Sequence, residues 1–206
     1  MKRLTIVTHR RLDGDRSGSK TYLRRMMALA EEAGFSLEIL LLPRATFSSR
    51  PWGTVSDTFS QLAKITWPGT IRIGARYVTL APSVWARFVW RIVQEGLARL
   101  ELGPAAWRMP WANLGTVPPP RELDSVAAYI RGDAPDAVLV EYSSLGPLLR
   151  RMPASIGKAL IVHDSFAARA ELFATRGEAP DYPNPPRFED EARRMAGADC
   201  IFHASV

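Results

Sequence analysis

Hydrophobic positions along this chain change period in an ordered way. Leu4 to Thr8 is a short apolar run, long enough for a strand and too short for a secretory leader. A polar loop from His9 to Gly18 follows. From Ser19 onward Tyr22, Leu23, Met26, Met27, Ala30 and Ala33 recur at helical spacing until Gly34 stops them. Ser36 to Leu42 is apolar almost throughout, which suits a strand buried on both faces of a parallel sheet, and Pro43 ends it. The same rhythm returns later. Helices are predicted at Glu122 to Arg131, Leu145 to Arg151, Ser165 to Thr175 and Arg187 to Ala196, with strands at Asp136 to Glu141, Ala159 to Val162 and Asp199 to His203. A Pro-rich loop, Pro180 to Pro186, precedes the last helix. Strands alternating with helices predict an α/β fold, a mainly parallel sheet with helices on both faces.

The stretch at about 44–120 breaks this rhythm and contains all six tryptophans. Within it Thr70 to Leu80 is expected as one strand. Pro82 to Leu100 is expected as a helix with Trp85, Phe88, Val89, Ile92, Val93, Leu97 and Leu100 on one side, and packing of that side on the core is the expected use of it. Arg87, Arg91 and Arg99 lie elsewhere on the helix, and aromatics together with arginines make a membrane-surface role the competing reading. Pro118-Pro119-Pro120 closes the excursion as a stiff connector.

Composition narrows the setting. At 206 residues, 47% hydrophobic and 23% charged, the chain fits one domain with a large excursion. One cysteine, Cys200, allows no internal disulfide, and a cytoplasmic protein is expected. No run approaches the roughly 20 apolar residues of a bilayer crossing. A net charge of +6 favours anionic partners, among them an anionic membrane surface, which leaves peripheral attachment at the inner membrane as a candidate.

Two places carry candidate chemistry. The first is the turn into the opening helix, where Gly18, Ser19 and Lys20 would offer backbone N–H groups and the positive helix end to a phosphate. Gly14 to Thr21 also resembles a P-loop, with Leu160 to Asp164 as a Walker B-like strand, so an NTPase or kinase is an alternative. Five residues separate Thr8 from Gly14, and Ser19 stands where a glycine belongs; both count against it. A loop that merely caps the helix is the plainer alternative. The second place is His163-Asp164-Ser165 at a strand end, with Arg169 one helical turn on. In an open parallel sheet such ends line the ligand crevice. His163 could move a proton and Asp164 orient it or bind a hydroxyl; alternatively Asp164 or Ser165 is only a helix cap. Glu141-Tyr142-Ser143-Ser144 ends the preceding strand and is a further candidate by the same geometry. The histidines, His9, His163 and His203, fall at three strand ends without zinc-site spacing, and no metal is expected.

In order, these pieces resemble the N-terminal half of a GT-B glycosyltransferase of the family 4 type. The resemblance rests on strand Leu4 to Thr8, the small-residue loop Ser17-Gly18-Ser19, the junction Ala33 to Leu40, and the strands Pro135 to Val140, Ile161 to Asp164 and Ala198 to Ser205. It covers nearly the whole chain except the Trp-rich middle. It implies a single Rossmann-like domain over residues 1–206 that binds the acceptor, with the nucleotide-sugar domain absent and the isolated half inactive. A nucleotide-diphosphate sugar would be the donor, a glycan, lipid or small molecule the acceptor, with no cofactor and no nucleic-acid partner. By similarity Gly18, Ser19 and Lys20 would approach the diphosphate, His163 and Asp164 the transferred sugar, and Arg169 and Glu141 the acceptor. A non-enzymatic α/β interaction module is the remaining alternative.

Overall fold

The computed structural model describes residues 1–13, 18–42, 50–102, 115–178 and 187–203. Its centre is a six-stranded, all-parallel sheet. The chain enters through β1 (Lys2–Thr8), α1 (Gly18–Glu32) and β2 (Phe35–Leu41). After β3 (Trp52–Thr54) and α2 (Asp57–Leu62) it returns to the sheet with β4 (Lys64–Thr66). β5 (Thr70–Ile73), β6 (Arg76–Thr79) and α3 (Pro82–Arg99) form the excursion. The second half of the sheet is built from α4 (Pro120–Asp133), β7 (Ala137–Glu141), a 3-10 turn (Ser143–Leu145), α5 (Gly146–Leu149), β8 (Gly157–Val162), α6 (Phe166–Thr175), α7 (Phe188–Met195) and β9 (Cys200–His203). The strand order is β4-β2-β1-β7-β8-β9, so the chain grows outward in one direction from β1 and then in the other from β7. The carboxyl ends of β1 and β7 therefore flank the point where the topology reverses, the usual ligand crevice of such sheets.

The apolar strands are explained by two cores. Leu4, Ile6, Leu37, Ile39, Leu41, Leu139 and Ile161 pack on one face with Leu23 and Met27 of α1 and Phe59 of α2. Val7, Leu40, Leu42, Val138, Val140 and Leu160 pack on the other with α4 and α5. Successive residues of each strand thus feed opposite faces, which is why these strands read as unbroken apolar runs. The sheet is Rossmann-like, as expected.

Differences from expectation concentrate in the middle of the chain. The 44–120 stretch does not leave the sheet at once: β4 pairs in parallel with β2 through Glu38↔Lys64, Ile39↔Ile65 and Leu40↔Thr66. A Glu38 carboxylate bonded to Thr66 and Tyr129, with Lys64 3.1 Å away, fastens this edge strand. The single strand expected at Thr70 to Leu80 is a hairpin, because Gly74 turns the chain with φ of 59° between β5 and β6. β3 adds to it, giving a small antiparallel sheet in the order β3-β6-β5. Gly53 of β3 is required by close packing, since a Cβ there would lie 2.5 Å from the Trp67 ring. The largest difference concerns α3. Core packing was expected of its aromatic side, yet only Val84 and Ala98 are buried, and Trp85, Val89, Trp90, Ile92 and Val93 are exposed. Trp107, Trp111 and the Pro-rich loop lie outside the described residues. The expected helix at Leu145 to Arg151 is instead the 3-10 turn followed by the short α5.

Candidate functional site

The carboxyl ends of β1, β7 and β8 bring together His9, Arg10, Glu141, Tyr142 and His163. Register explains the pairing at its centre. Glu141 lies opposite Ile161, so His163, two residues on, shares its side of the sheet. His163 Nε2 stands 2.8 Å from Glu141 Oε1, and the two side chains are 6% and 0% exposed. A carboxylate oxygen in that position accepts the Nε2 proton, which leaves Nδ1 with its lone pair for another partner. Glu141 Oε2 is buried and has no hydrogen-bond partner among the described residues. A buried carboxylate oxygen left unused is costly and calls for a donor.

Tyr142 is held between these groups in unusual backbone, with φ of 72°. A non-glycine residue there is strained, and strain of this kind gathers at functional sites. Its ring stacks on His9 at 5.5 Å and meets His163 at 4.8 Å, with the Arg10 guanidinium 5.7 Å from its centroid. Ser19 and the Arg10 side chain lie beside the phenol, where each favours its charged form. Burial pushes the Tyr142 pKa up to about 12, Arg10 opposing and Glu141 assisting, so the phenol keeps its proton at neutral pH. Burial also pulls His9 down to about 4, against the opposing charge of Glu141, and Arg10 adds to the lowering. His9 is therefore a neutral ring beside a neutral phenol.

Two helix N-termini point toward this edge, and they differ. That of α6 is occupied from within: Ser165 caps it through Ala168 N, while Glu191 of α7 accepts from Ser143 Oγ and Ser165 Oγ at 2.7 Å and from Phe166 N and Ala167 N at 3.1 and 3.0 Å. Burial pushes the Glu191 carboxyl up, but the Ala167 N–H, the two hydroxyls and the Phe166 N–H together hold it below the ordinary carboxylate value. The N-terminus of α1 has no acidic residue in its first turn, and its Ser19 lies beside Tyr142.

The residues singled out from the sequence thus separate. His163 and Glu141 form one pair. Asp164 is exposed and pairs with Arg169 at 3.6 Å, while the cap itself is Ser165. Gly18 opens α1 with no atom within 4 Å of where a Cβ would lie, and Ser19 adjoins the phenol. Lys20 turns back to the Asp13 carbonyl and carboxylate. Of the P-loop resemblance, Gly14 to Ser17 lie outside the described residues. His9 and His163 converge on Tyr142, whereas His203 stands at the exposed end of β9. No group of three or more metal-ligating side chains occurs among the described residues. Tyr142 was named only as part of the strand end Glu141 to Ser144, whereas Arg10 and Glu191 were not anticipated; Glu191 gave no signal, since it reads as one acid in a charged surface helix. Cavities of about 490 and 400 Å³ lie elsewhere, one beside Met1 and Phe35 at the amino end of the sheet and one beside Tyr129 and Thr79.

No protein-family model and no curated protein matches the chain. Its structure is similar to that of a sucrose-phosphate synthase from Thermosynechococcus elongatus, with a TM-score of 0.50 and 14% identity. The likeness is one of fold. It extends over 98% of this chain and 42% of the synthase, so the chain spans less than half the length of that enzyme. The shared architecture is the Rossmann-like, mainly parallel α/β arrangement.

Proposed function

We propose that this chain is the acceptor-side domain of a family 4-type glycosyltransferase, working in the cytoplasm at an anionic membrane surface. It moves a sugar from a nucleotide-diphosphate sugar to a glycan, lipid or small-molecule hydroxyl, and a second α/β domain supplies most of the nucleotide contacts. The observation that supports this best is the buried Glu141–His163 pair beside strained Tyr142, at the reversal point of a sheet similar in fold to that of a sucrose-phosphate synthase. In this reading the acceptor oxygen forms the new bond to the anomeric carbon as the bond to the diphosphate breaks. The acceptor proton passes to His163 Nδ1, and Glu141 holds the imidazole in the tautomer that can take it. The α1 N-terminus and Arg10 face the leaving diphosphate, since the α6 N-terminus already holds Glu191. Asp164, exposed at the rim, and half-buried Arg169 beside it contact sugar hydroxyls.

The test is a transfer assay on a polypeptide carrying both domains, run with uridine-, guanosine- and adenosine-diphosphate sugars. His163→Ala is expected to lower transfer about a hundredfold or more with an unchanged circular dichroism spectrum, and Asp164→Ala to lower it less. Full transfer by both variants would remove the site assignment. The 206-residue chain alone is expected to be inactive.

A further inference from the structure

α3 is amphipathic in the reverse of the usual sense. Positions 85, 89, 92, 93 and 100 share one face by helical spacing, with Trp90 at its margin. That face carries Trp85, Val89, Ile92, Val93 and Leu100, all exposed, and Trp90 is 58% exposed. The opposite face, which meets the protein, presents Val84, Phe88, Arg91, Glu95 and Ala98, including two charged residues. A helix packed on a core would put its apolar side inward. An exposed apolar stripe along 18 residues, about 27 Å of helix, marks a contact surface.

Charge beside the stripe indicates what covers it. Arg11, Arg50 and Arg91 line a groove of about 250 Å³ with Phe88, Ile92 and Glu95, and Ile92 belongs to both the groove and the apolar face. A second hollow of about 190 Å³ shares Arg11 and Arg50 and adds Arg76, Trp52 and Asp13. The two acids are each held by a further base, Glu95 by Arg99 at 2.7 Å and Asp13 by Lys20 at 3.7 Å. The margin of the stripe is therefore strongly cationic. Trp85 is anchored by Nε1 to the Thr79 carbonyl at 3.0 Å while its ring is partly exposed, an amphipathic pose suited to a headgroup layer. No described helix is long and apolar enough to cross a membrane. Tryptophans and aliphatics beside arginines are the composition of a helix lying in the plane of an anionic bilayer.

We propose that α3 docks this protein on an anionic lipid surface, with Trp85, Val89, Trp90, Ile92 and Val93 entering the acyl boundary and the marginal arginines Arg11 and Arg50 meeting lipid phosphates. The surface is distinct from the Glu141–His163 crevice, and the assignment stands whatever reaction that crevice supports.

Cosedimentation of the chain with phosphatidylcholine vesicles, with and without phosphatidylglycerol, tests it. Binding is expected to the anionic vesicles, weakening as salt rises, with a blue shift of tryptophan emission. Trp90→Glu with Val93→Glu, both at exposed positions, is expected to weaken binding about tenfold or more with circular dichroism unchanged. Arg50→Gln is expected to weaken binding to the anionic vesicles about fivefold. No sedimentation with anionic vesicles at low salt overturns the proposal, as does equal, salt-independent binding to neutral ones. A concentration-dependent dimer in ultracentrifugation, abolished by the Trp90–Val93 double variant, would give the face to a second copy of the chain and overturn it as well.

Discussion

Glu191 offers the sharpest test of how the crevice is built. It sits on α7, yet its carboxylate is almost wholly buried and binds four donors on other segments: Ser143 Oγ, Ser165 Oγ, Phe166 N and Ala167 N. Ser143 follows Tyr142, and Ser165 follows His163 and Asp164, so one side chain fastens both strand ends of the candidate site. Replacing it with alanine leaves two hydroxyls and two amides in a buried space without an acceptor and removes a negative charge from the α6 N-terminus. Hydrogen bonds to a charged group contribute about 1.5–3 kcal/mol each, but they do not add, so Glu191→Ala is expected to cost about 3–4 kcal/mol. For a chain of this size that corresponds to about 10 °C in Tm. Glu191→Gln keeps an acceptor oxygen and is expected to cost about half as much.

The pH dependence supplies an independent reading. The Glu191 carboxyl is held below its ordinary value of 4.5 in the folded protein. A depressed carboxylate contributes stability in full above the unfolded value and loses it as pH falls through the folded one. The stability gap between the native protein and Glu191→Gln should therefore be flat at neutral pH and shrink below about pH 4.5. Urea unfolding of both variants across that range, with amide exchange at Ala167 and Ala168, is the assay. A loss under about 1 kcal/mol in Glu191→Ala, or a gap that does not narrow in acid, refutes the reasoning.

Two further outcomes follow from packing and burial. A Cβ on Gly146 would come within 2.1 Å of the Arg194 carbonyl oxygen, so Gly146→Ala must displace α7; it is expected to cost about 2–3 kcal/mol and expose the Ala167 amide to exchange, and an unchanged Tm refutes it. His9, lowered from 6.5 to about 4 by burial, is neutral in the folded protein while the unfolded chain takes up its proton first. Its contribution is complete above pH 6.5 and falls away as pH drops toward 4, by about 3 kcal/mol in all. His9→Gln should flatten that part of the stability profile, and a His9 proton resonance titrating near its ordinary value contradicts it.

Strand ends were legible in the sequence because a parallel sheet carries all its carboxyl ends on one edge. Glu141 and His163 could thus be placed near one another from the apolar runs that precede them. Their pairing could not, since it depends on the register that sets Glu141 against Ile161. β4 escaped because Lys64-Ile65-Thr66 is too short to show a period, and the hairpin was merged because Ile71, Ile73, Tyr77 and Val78 suit a strand on either side of Gly74. Glu191 was invisible for a different reason. Nothing in Phe188 to Met195 says that one of its three acids is buried; that follows from α7 docking over Gly146. In α3 the period gave the helix and most of its apolar face, although Phe88 turns toward the protein and Leu97 is half-buried. A period cannot say which way a face is turned, and core packing was the wrong choice of the two.

The loop after β1 connects the two surfaces of this protein. His9 and Arg10 turn to Tyr142, while the next residue, Arg11, lines the groove beside α3. Adjacent residues on one strand end thus serve a buried polar crevice and a cationic margin of an apolar stripe. A free sugar acceptor would have no use for the second surface. An acceptor carried in the bilayer would, because α3 would hold the domain at the headgroup layer and the β1 loop would lie between the lipid phosphates and the Glu141–His163 pair. If α3 docks on lipid as proposed, an acceptor carried in the bilayer is the class that would use both surfaces.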